Sequence, residues 1–223
     1  MSDINNMITI AVPKGRVLIK LTEYLANIGI KIEEISRRLD YIDKENGIRF
    51  LFVKNSDVPV YVYNGVAELG IVGSDVLYEH NCELLQLMTL PFGGTKICIA
   101  GYKKDSDLLN GSSKDDMFIK EIRIATKFEK FTKDYFKTRN IPIRLISLTG
   151  SVELAPILGL SDLIVDLVET GQTLIENDLS VLDVIGTTTV KLVACKGLYK
   201  QRFRQIDTFI SKLKLVESKN EKN

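Results

Sequence analysis

Apolar and polar positions alternate along the chain in two periods, and the switches between them mark the elements. "MITIAVP", residues 7–13, is an apolar run of strand length. Lys14, Gly15 and Arg16 interrupt it, and apolar positions then recur at helical spacing until Gly29. "GIRFLFVKN" alternates and is rich in Phe, Val and Ile, which predicts a strand. Ser56 or Asp57 is placed to cap a short helix with Pro59 in its first turn. "LGIVG" predicts a strand, and Ser74-Asp75 a cap for the helix after it. Residues 84–102 run extended through Gly93-Gly94, and residues 103–116 are a charged surface loop with a partial helix. "EIRIATKF", "IPIRLISL" and "SDLIVDLV" are strands. Helices "EKFTKDYFKTRN" and "GSVELAPILG" separate them, the second capped by Ser151. A turn and the helix "LIEND" lead to a β-rich run, residues 181–195. Phe203, Ile206, Phe209, Ile210 and Leu213 then form one helical stripe.

Strands alternating with helices predict an α/β fold with mostly parallel sheets. Gly93-Gly94 and Gly186-Thr187-Thr188 sit inside two long β-rich runs, where a chain can bend while passing between lobes. Two such passages predict a discontinuous first lobe, residues 1–92 and 182–223, and a second lobe, residues 93–181. They also predict a ligand cleft between the lobes, as in two-lobed binding folds.

The charge count narrows the partners. Thirty basic and 29 acidic residues leave a net charge of +1, which gives no basic surface for nucleic acid or membrane. No apolar run reaches the roughly 18–20 residues that span a bilayer, and the N-terminus has no signal-peptide pattern. Cys82, Cys98 and Cys195 have neither zinc spacing nor an even count, so they read as reduced thiols of a cytoplasmic protein. His80 is the only histidine and stands at a helix end without a nucleophile motif, so proton chemistry through histidine is not expected.

The chemistry concentrates at strand-to-helix turns. Asp166 closes an apolar run, and Glu169-Thr170-Gly171-Gln172-Thr173 follows it. A helix N-terminus with hydroxyls and a glycine attracts phosphate, while an acid at a strand end can accept bonds from ribose hydroxyls. Glu169 is the odd member, since a carboxylate repels phosphate unless it is turned away or bridged by a cation. An ordinary capped turn has the same composition. Lys14, Gly15 and Arg16 make a second turn, with two cations suited to polyphosphate. Arg37-Arg38 is a second basic pair, and Gly73, Ser74 and Asp75 are another small-residue helix start. Neither G-x-x-x-x-G-K-[ST] nor G-x-G-x-x-G occurs.

These segments, in this order, resemble the ATP phosphoribosyltransferases: "VPKGRV", "SRRLDY", "SDVPVYV", "LGIVGSDVL", "PFGGTKICIAG" and "GSVELAPILGLSDLIVDLVETGQTL". The resemblance runs from about residue 8 to residue 196 and is most specific in the last segment. It implies a two-lobed fold like the type II periplasmic binding proteins, with two crossing strands. It also implies transfer of phosphoribosyl from phosphoribosyl pyrophosphate to N1 of ATP, with Mg²⁺ on the substrate. The chain resembles the short, catalytic form of the family. That implies a histidyl-tRNA-synthetase-like regulatory subunit and a homodimer within a hetero-oligomer.

By position in the motifs, Glu153, Asp166, Glu169, Thr170, Gly171, Gln172 and Thr173 are expected to bind the phosphoribosyl donor. Lys14, Gly15, Gly73, Ser74 and Asp75 are expected on the nucleotide side. Arg16 and Arg37 are expected to act on the leaving pyrophosphate and the ATP phosphates. Arg37 is chosen over Arg38 because the family pattern reads Ser-Arg and then a variable basic residue. Lys54 stands where the family often has arginine, and it keeps the charge without the fork. Purine-salvage-type phosphoribosyltransferases carry two adjacent acids before their loop, whereas Leu167 and Val168 follow Asp166 here. The competing class is a two-lobed small-anion binder without catalysis. Replacing Arg37 with alanine is expected to lower turnover by about 100-fold or more. Steady-state assay of the variant checks this, and near-normal turnover would remove Arg37 from the site.

Overall fold

The computed structural model describes residues 7–32, 38–110 and 121–220. Along the chain run β1 (Ile8–Pro13), α1 (Arg16–Ala26), β2 (Asp40–Asp43), β3 (Ile48–Val53), α2 (Val58–Tyr63), β4 (Leu69–Gly73), α3 (Ser74–His80) and β5 (Leu85–Gly101). Next come β6 (Ile122–Thr126), α4 (Glu129–Thr138), β7 (Ile143–Ser147), α5 (Leu154–Ile157), β8 (Leu163–Val168) and α6 (Gln172–Glu176). The chain continues with β9 (Ser180–Ala194), α7 (Lys196–Gln201) and α8 (Phe203–Asn220). It divides into one unit of Met1–Gly94 with Thr189–Asn223 and a second of Thr95–Thr188. The passages between units fall inside β5 and β9, at Gly94–Thr95 and Thr188–Thr189. The sequence reading placed them at residues 93 and 182. Leu182 and Ile185 pack on the core of the second unit.

In the first unit the strand order is β2-β3-β1-β4-β9. β1 runs parallel to both β3 and β4, β2 pairs antiparallel at one edge, and β9 pairs antiparallel with β4 and has β5 on its other side. A sheet covered on both faces must bury both sets of side chains, which explains the unbroken apolar runs of β1 and β4. Ile10, Val12, Phe50 and Ile71 pack on one face with Leu21 and Leu25 of α1 and Ile206 and Phe209 of α8. Ala11, Val72 and Val193 pack on the other with Val58 and Val62 of α2. A Cβ at Gly70 would lie 2.7 Å from Val62 Cγ2, so that glycine lets α2 rest directly on β4. The Tyr24 hydroxyl donates to the Leu213 carbonyl at 2.9 Å, tying α1 to α8.

In the second unit the order is β5-β8-β6-β7, with β6 parallel to β7 and β8, and β5 antiparallel to β8. Ile97, Ile99, Ile124, Leu163 and Val165 pack with Phe128 and Phe136 on one face. Ala100, Ala125 and Ile164 pack with Val152, Ala155 and Leu174 on the other. Arg123 and Asp162 fix the start of β8 beside β6. Arg123 Nη2 donates to Asp162 Oδ1 at 2.8 Å, and the Asp162 amide donates to the Arg123 carbonyl at 2.8 Å. At the other end of β6, the buried Thr126 hydroxyl donates to the Val165 carbonyl at 2.8 Å and accepts the Phe128 amide at 2.9 Å.

Three expected caps are not used as caps. The helices begin at Val58, Ser74 and Leu154, with Asp57, Gly73 and Glu153 at the cap positions and no side-chain cap bond at any of them. Ser56 Oγ donates to Asp57 Oδ1 instead, and Ser74 Oγ accepts the Thr189 amide from β9 at 3.0 Å. Ser151 takes a left-handed φ of 49°, and its carbonyl accepts the Leu154 amide. Phe203, expected in the apolar stripe, is 50% exposed. As the first residue of α8 it meets Tyr199 edge-on, at 5.7 Å between ring centroids.

The Tyr135 hydroxyl donates to Asp183 Oδ2 at 2.5 Å. Burial first, and then this bond and the charge of Asp183, push the phenol from 10.0 to about 12, against the opposing pull of Arg139. A folded value above the unfolded one gives stability that is complete below pH 10 and lost as pH rises through about 12. Urea unfolding across that window should show a smaller alkaline loss for Tyr135→Phe than for the wild type.

Candidate functional site

Both units place chemistry where a parallel sheet turns its connections to opposite sides. In the first unit, the chain leaves β1 toward β3 on one side, and later returns from β3 to β4 on the other. The carboxyl ends of β1 and β4 are therefore neighbours with no connection crossing between them, which is where open α/β sheets bind ligands. Lys14, Gly15 and Arg16 follow β1, and Gly73, Ser74 and Asp75 close β4 and open α3. Ala11 pairs with Gly70 in parallel, so counting on sets Lys14 level with Gly73. The fold thus brings together all the residues expected on the nucleotide side, with Arg16 among them.

Local geometry separates their roles. Lys14, Gly15 and Arg16 are exposed. The Lys14 amide donates to the Val53 carbonyl at 3.1 Å, so β3 holds the start of this turn. Gly15 has φ 92° and ψ −146°, a conformation that side chains oppose, and a Cβ there would meet nothing within 4 Å. Glycine is needed here for the backbone, which starts α1 with its first amides uncovered. Gly73 is needed for space, since a Cβ would lie 2.2 Å from Asp75 Oδ1. Asp75 is 8% exposed and folds back over this turn. With Ser74 Oγ bound to β9, Ser74 and Asp75 brace the turn, a role their composition did not separate from ligand contact. Lys54 follows β3 at the same end of the sheet and is exposed. Arg37 lies outside the described residues.

In the second unit, β6 leads to β7 on one side, and the chain returns through α5 to β8 on the other. The carboxyl ends of β6 and β8 form the corresponding gap. Asp166 lies inside β8, two residues before its end, where the sequence reading put it at the strand terminus. Val168 follows the strand pleat onto the face covered by α5 and α6, and Asp166 shares that face. The turn Glu169–Thr173 starts α6, with Gly171 left-handed at φ 76° and ψ 1°. The Gln172 amide points at Thr170 Oγ1, 3.4 Å away, and the Leu174 and Ile175 amides both donate to the Gly171 carbonyl. Glu169, Thr170, Gln172 and Thr173 are exposed, and the Gln172 side chain donates to Glu176 at 2.9 Å. Glu153 is half-buried before α5, and its neighbour Val152 packs with Leu174 and Val168, which brings this loop against the turn.

Sequence reasoning missed one residue. Lys127 follows β6, and its Nζ lies 3.0 Å from Asp166 Oδ1. The contact depends on the parallel pairing of β6 with β8, and the sequence pattern predicts mostly parallel sheets without saying which strands pair. Across β8 on the other side, Cys98 pairs with Asp166, is 1% exposed, and has its thiol pushed up chiefly by burial. It offers no thiolate nucleophile. Among the described residues no group of three or more His, Cys, Asp or Glu could hold a metal ion.

The family model described as "HisG: ATP phosphoribosyltransferase" matches residues 54–215. An ATP phosphoribosyltransferase of Brachyspira hyodysenteriae is 41% identical over 217 residues, covering 94% of this chain and 100% of that protein. One from Caldicellulosiruptor bescii is 44% identical over 211 residues, covering 93% and 97%. The Thermotoga maritima ATP phosphoribosyl transferase (HisG:HisZ) complex contains a chain of similar structure, with TM-score 0.77 and 38% identity over 94% of this chain and 98% of that one. The VFT2 domain of Bordetella pertussis BvgS, at TM-score 0.60 and 10% identity, covers 93% of this chain and 86% of its own, and shares the fold alone. The architecture is α/β, in the two-lobed type II class of periplasmic binding proteins. The sequence matches across nearly the whole chain place this chain in the ATP phosphoribosyltransferase family.

Proposed function

We propose that the protein transfers phosphoribosyl from phosphoribosyl pyrophosphate to N1 of ATP, releasing pyrophosphate and forming phosphoribosyl-ATP, the first step of histidine biosynthesis. The observation that carries this reading is the run from Asp166 to Thr173, which ends β8 beside β6 within the family-matched region. The amides and hydroxyls of Thr170, Gly171, Gln172 and Thr173 hold the 5′-phosphate. Asp166 accepts bonds from the ribose hydroxyls, and Glu153 faces the ribose. Glu169 completes the loop.

The reaction breaks the bond from C1 of the ribose to the pyrophosphate oxygen and forms one from C1 to N1 of adenine. Positive charge grows on the sugar and negative charge on the departing pyrophosphate, so the catalyst supplies positioning and electrostatic stabilisation. Arg16 and Arg37 act on the anionic phosphates, and Arg16 can grip them through two parallel N–H bonds. Lys14 and the backbone at Gly15 and Gly73 bind the nucleotide, with Ser74 and Asp75 shaping the turn. Mg²⁺ carried by the substrate would neutralise part of the pyrophosphate charge, and Glu153 would face the ribose or its metal. This chemistry asks for no histidine, and His80, at the end of α3, takes no part.

The protein works with a histidyl-tRNA-synthetase-like regulatory subunit, as a homodimer within a hetero-oligomer. The HisG:HisZ composition of the Thermotoga maritima complex supports that reading. Among the described residues no helix is long and apolar enough to cross a membrane, and a cytoplasmic location is part of the proposal.

Incubation with ATP, phosphoribosyl pyrophosphate and Mg²⁺, with and without a candidate regulatory subunit, should generate the ultraviolet signal of phosphoribosyl-ATP. A folded protein giving no product under either condition would sink the enzymatic reading. Thr173→Ala should raise the KM for phosphoribosyl pyrophosphate by about 5- to 20-fold, with kcat changed less, because it removes a contact made before the transition state.

A further inference from the structure

We infer that Lys127 is a positioning residue for the phosphoribosyl donor, holding Asp166 in the orientation that receives the ribose hydroxyls. The inference rests on the proposed role of Asp166. An aspartate presenting lone pairs to a sugar must have its carboxylate fixed, because each hydroxyl bond depends on direction. Asp166 Oδ1 is held from two sides, by the Leu167 amide at 2.8 Å and by Lys127 Nζ at 3.0 Å. Oδ2 makes no hydrogen bond among the described residues, so one oxygen is anchored and the other is open.

The backbone under Lys127 is itself fixed. Thr126 pairs with Val165 in the parallel ladder, which brings the following residues, Lys127 and Asp166, side by side on one face. The wholly buried Thr126 hydroxyl bonds both the Val165 carbonyl and the Phe128 amide, so the turn that carries Lys127 cannot drift from β8. The Lys127 side chain is 40% exposed, and that of Asp166 26%. The pair therefore stands at the rim of the gap between β6 and β8, where a surface ion pair contributes little stability but can set a rotamer. No other cation is recorded within salt-bridge distance of Asp166 among the described residues.

Five proteins test this: the wild type, Lys127→Met, Lys127→Arg, Asp166→Asn and the double variant, each checked for folding by thermal unfolding. Phosphoribosyl pyrophosphate binding is measured by calorimetry with Mg²⁺ present, and turnover is measured in parallel. Lys127→Met should weaken donor binding about tenfold and raise the donor KM to match, leaving the KM for ATP within about twofold. Lys127→Arg should restore binding to within about threefold. In the Asp166→Asn background, Lys127→Met should add less than about twofold, because a residue acting through Asp166 has nothing left to position. A full tenfold loss in that background would mean that Lys127 meets the substrate directly, and would overturn the inference. Unchanged donor binding in Lys127→Met, in a wild type that turns over, would overturn it while leaving the proposed function intact. A wild type that neither binds the donor nor forms product would overturn both.

Discussion

A parallel strand with parallel neighbours on both sides, whose connections leave in opposite directions, cannot be covered at its carboxyl end. β1 in one unit and β6 in the other are such strands. The uncovered ends expose the first amides of the following helices and whatever side chains the turns carry. Each of these chemically distinctive turns is also the answer to a backbone problem. Gly15 resolves a conformation, Gly73 a collision with Asp75, and Thr126 the anchoring of a strand end to its neighbour. Binding chemistry and folding requirements therefore share the same few residues.

Much of this was legible in the sequence. The period-2 and period-3.6 runs located the strands and helices of both units, because a sheet covered on both faces writes itself as unbroken apolar stretches. Candidate chemistry was legible where it was contiguous, as in Asp166 through Thr173 and Lys14 through Arg16. Non-local facts were not. The β2 strand hydrogen-bonds antiparallel to β3, and "LDYID" carries no strong strand signal of its own. Lys127 reaches Asp166 only through the β6–β8 ladder, a pairing 39 residues apart along the chain.

The cap misread at Ser74 has a physical cause. Ser, Thr and Asp at a helix start can bond forward along the chain or sideways to another element, and local sequence does not rank the two. Ser74 bonds sideways, to the amide of Thr189. In a sheet one of whose strands returns from far along the chain, such sideways bonds help to secure the returning strand. The same competition explains why Ser74, placed on the nucleotide side by the family resemblance, also bonds to β9.

The clasp between Thr95 and Thr188 bears on how the chain comes together during synthesis. The Thr95 amide donates to Thr188 Oγ1 at 3.2 Å, and the two hydroxyls lie 2.9 Å apart, at the first and last residues of the second unit. That unit is continuous in the chain, and its two ends meet. It can close as soon as Thr188 has been made. The first unit lacks the β9 strand of its sheet, and the α8 side of its core, until later parts of the chain follow. The inserted unit therefore has the shorter path to its native pairings, and its closure shrinks the loop that the first unit must span to join β4 to β9.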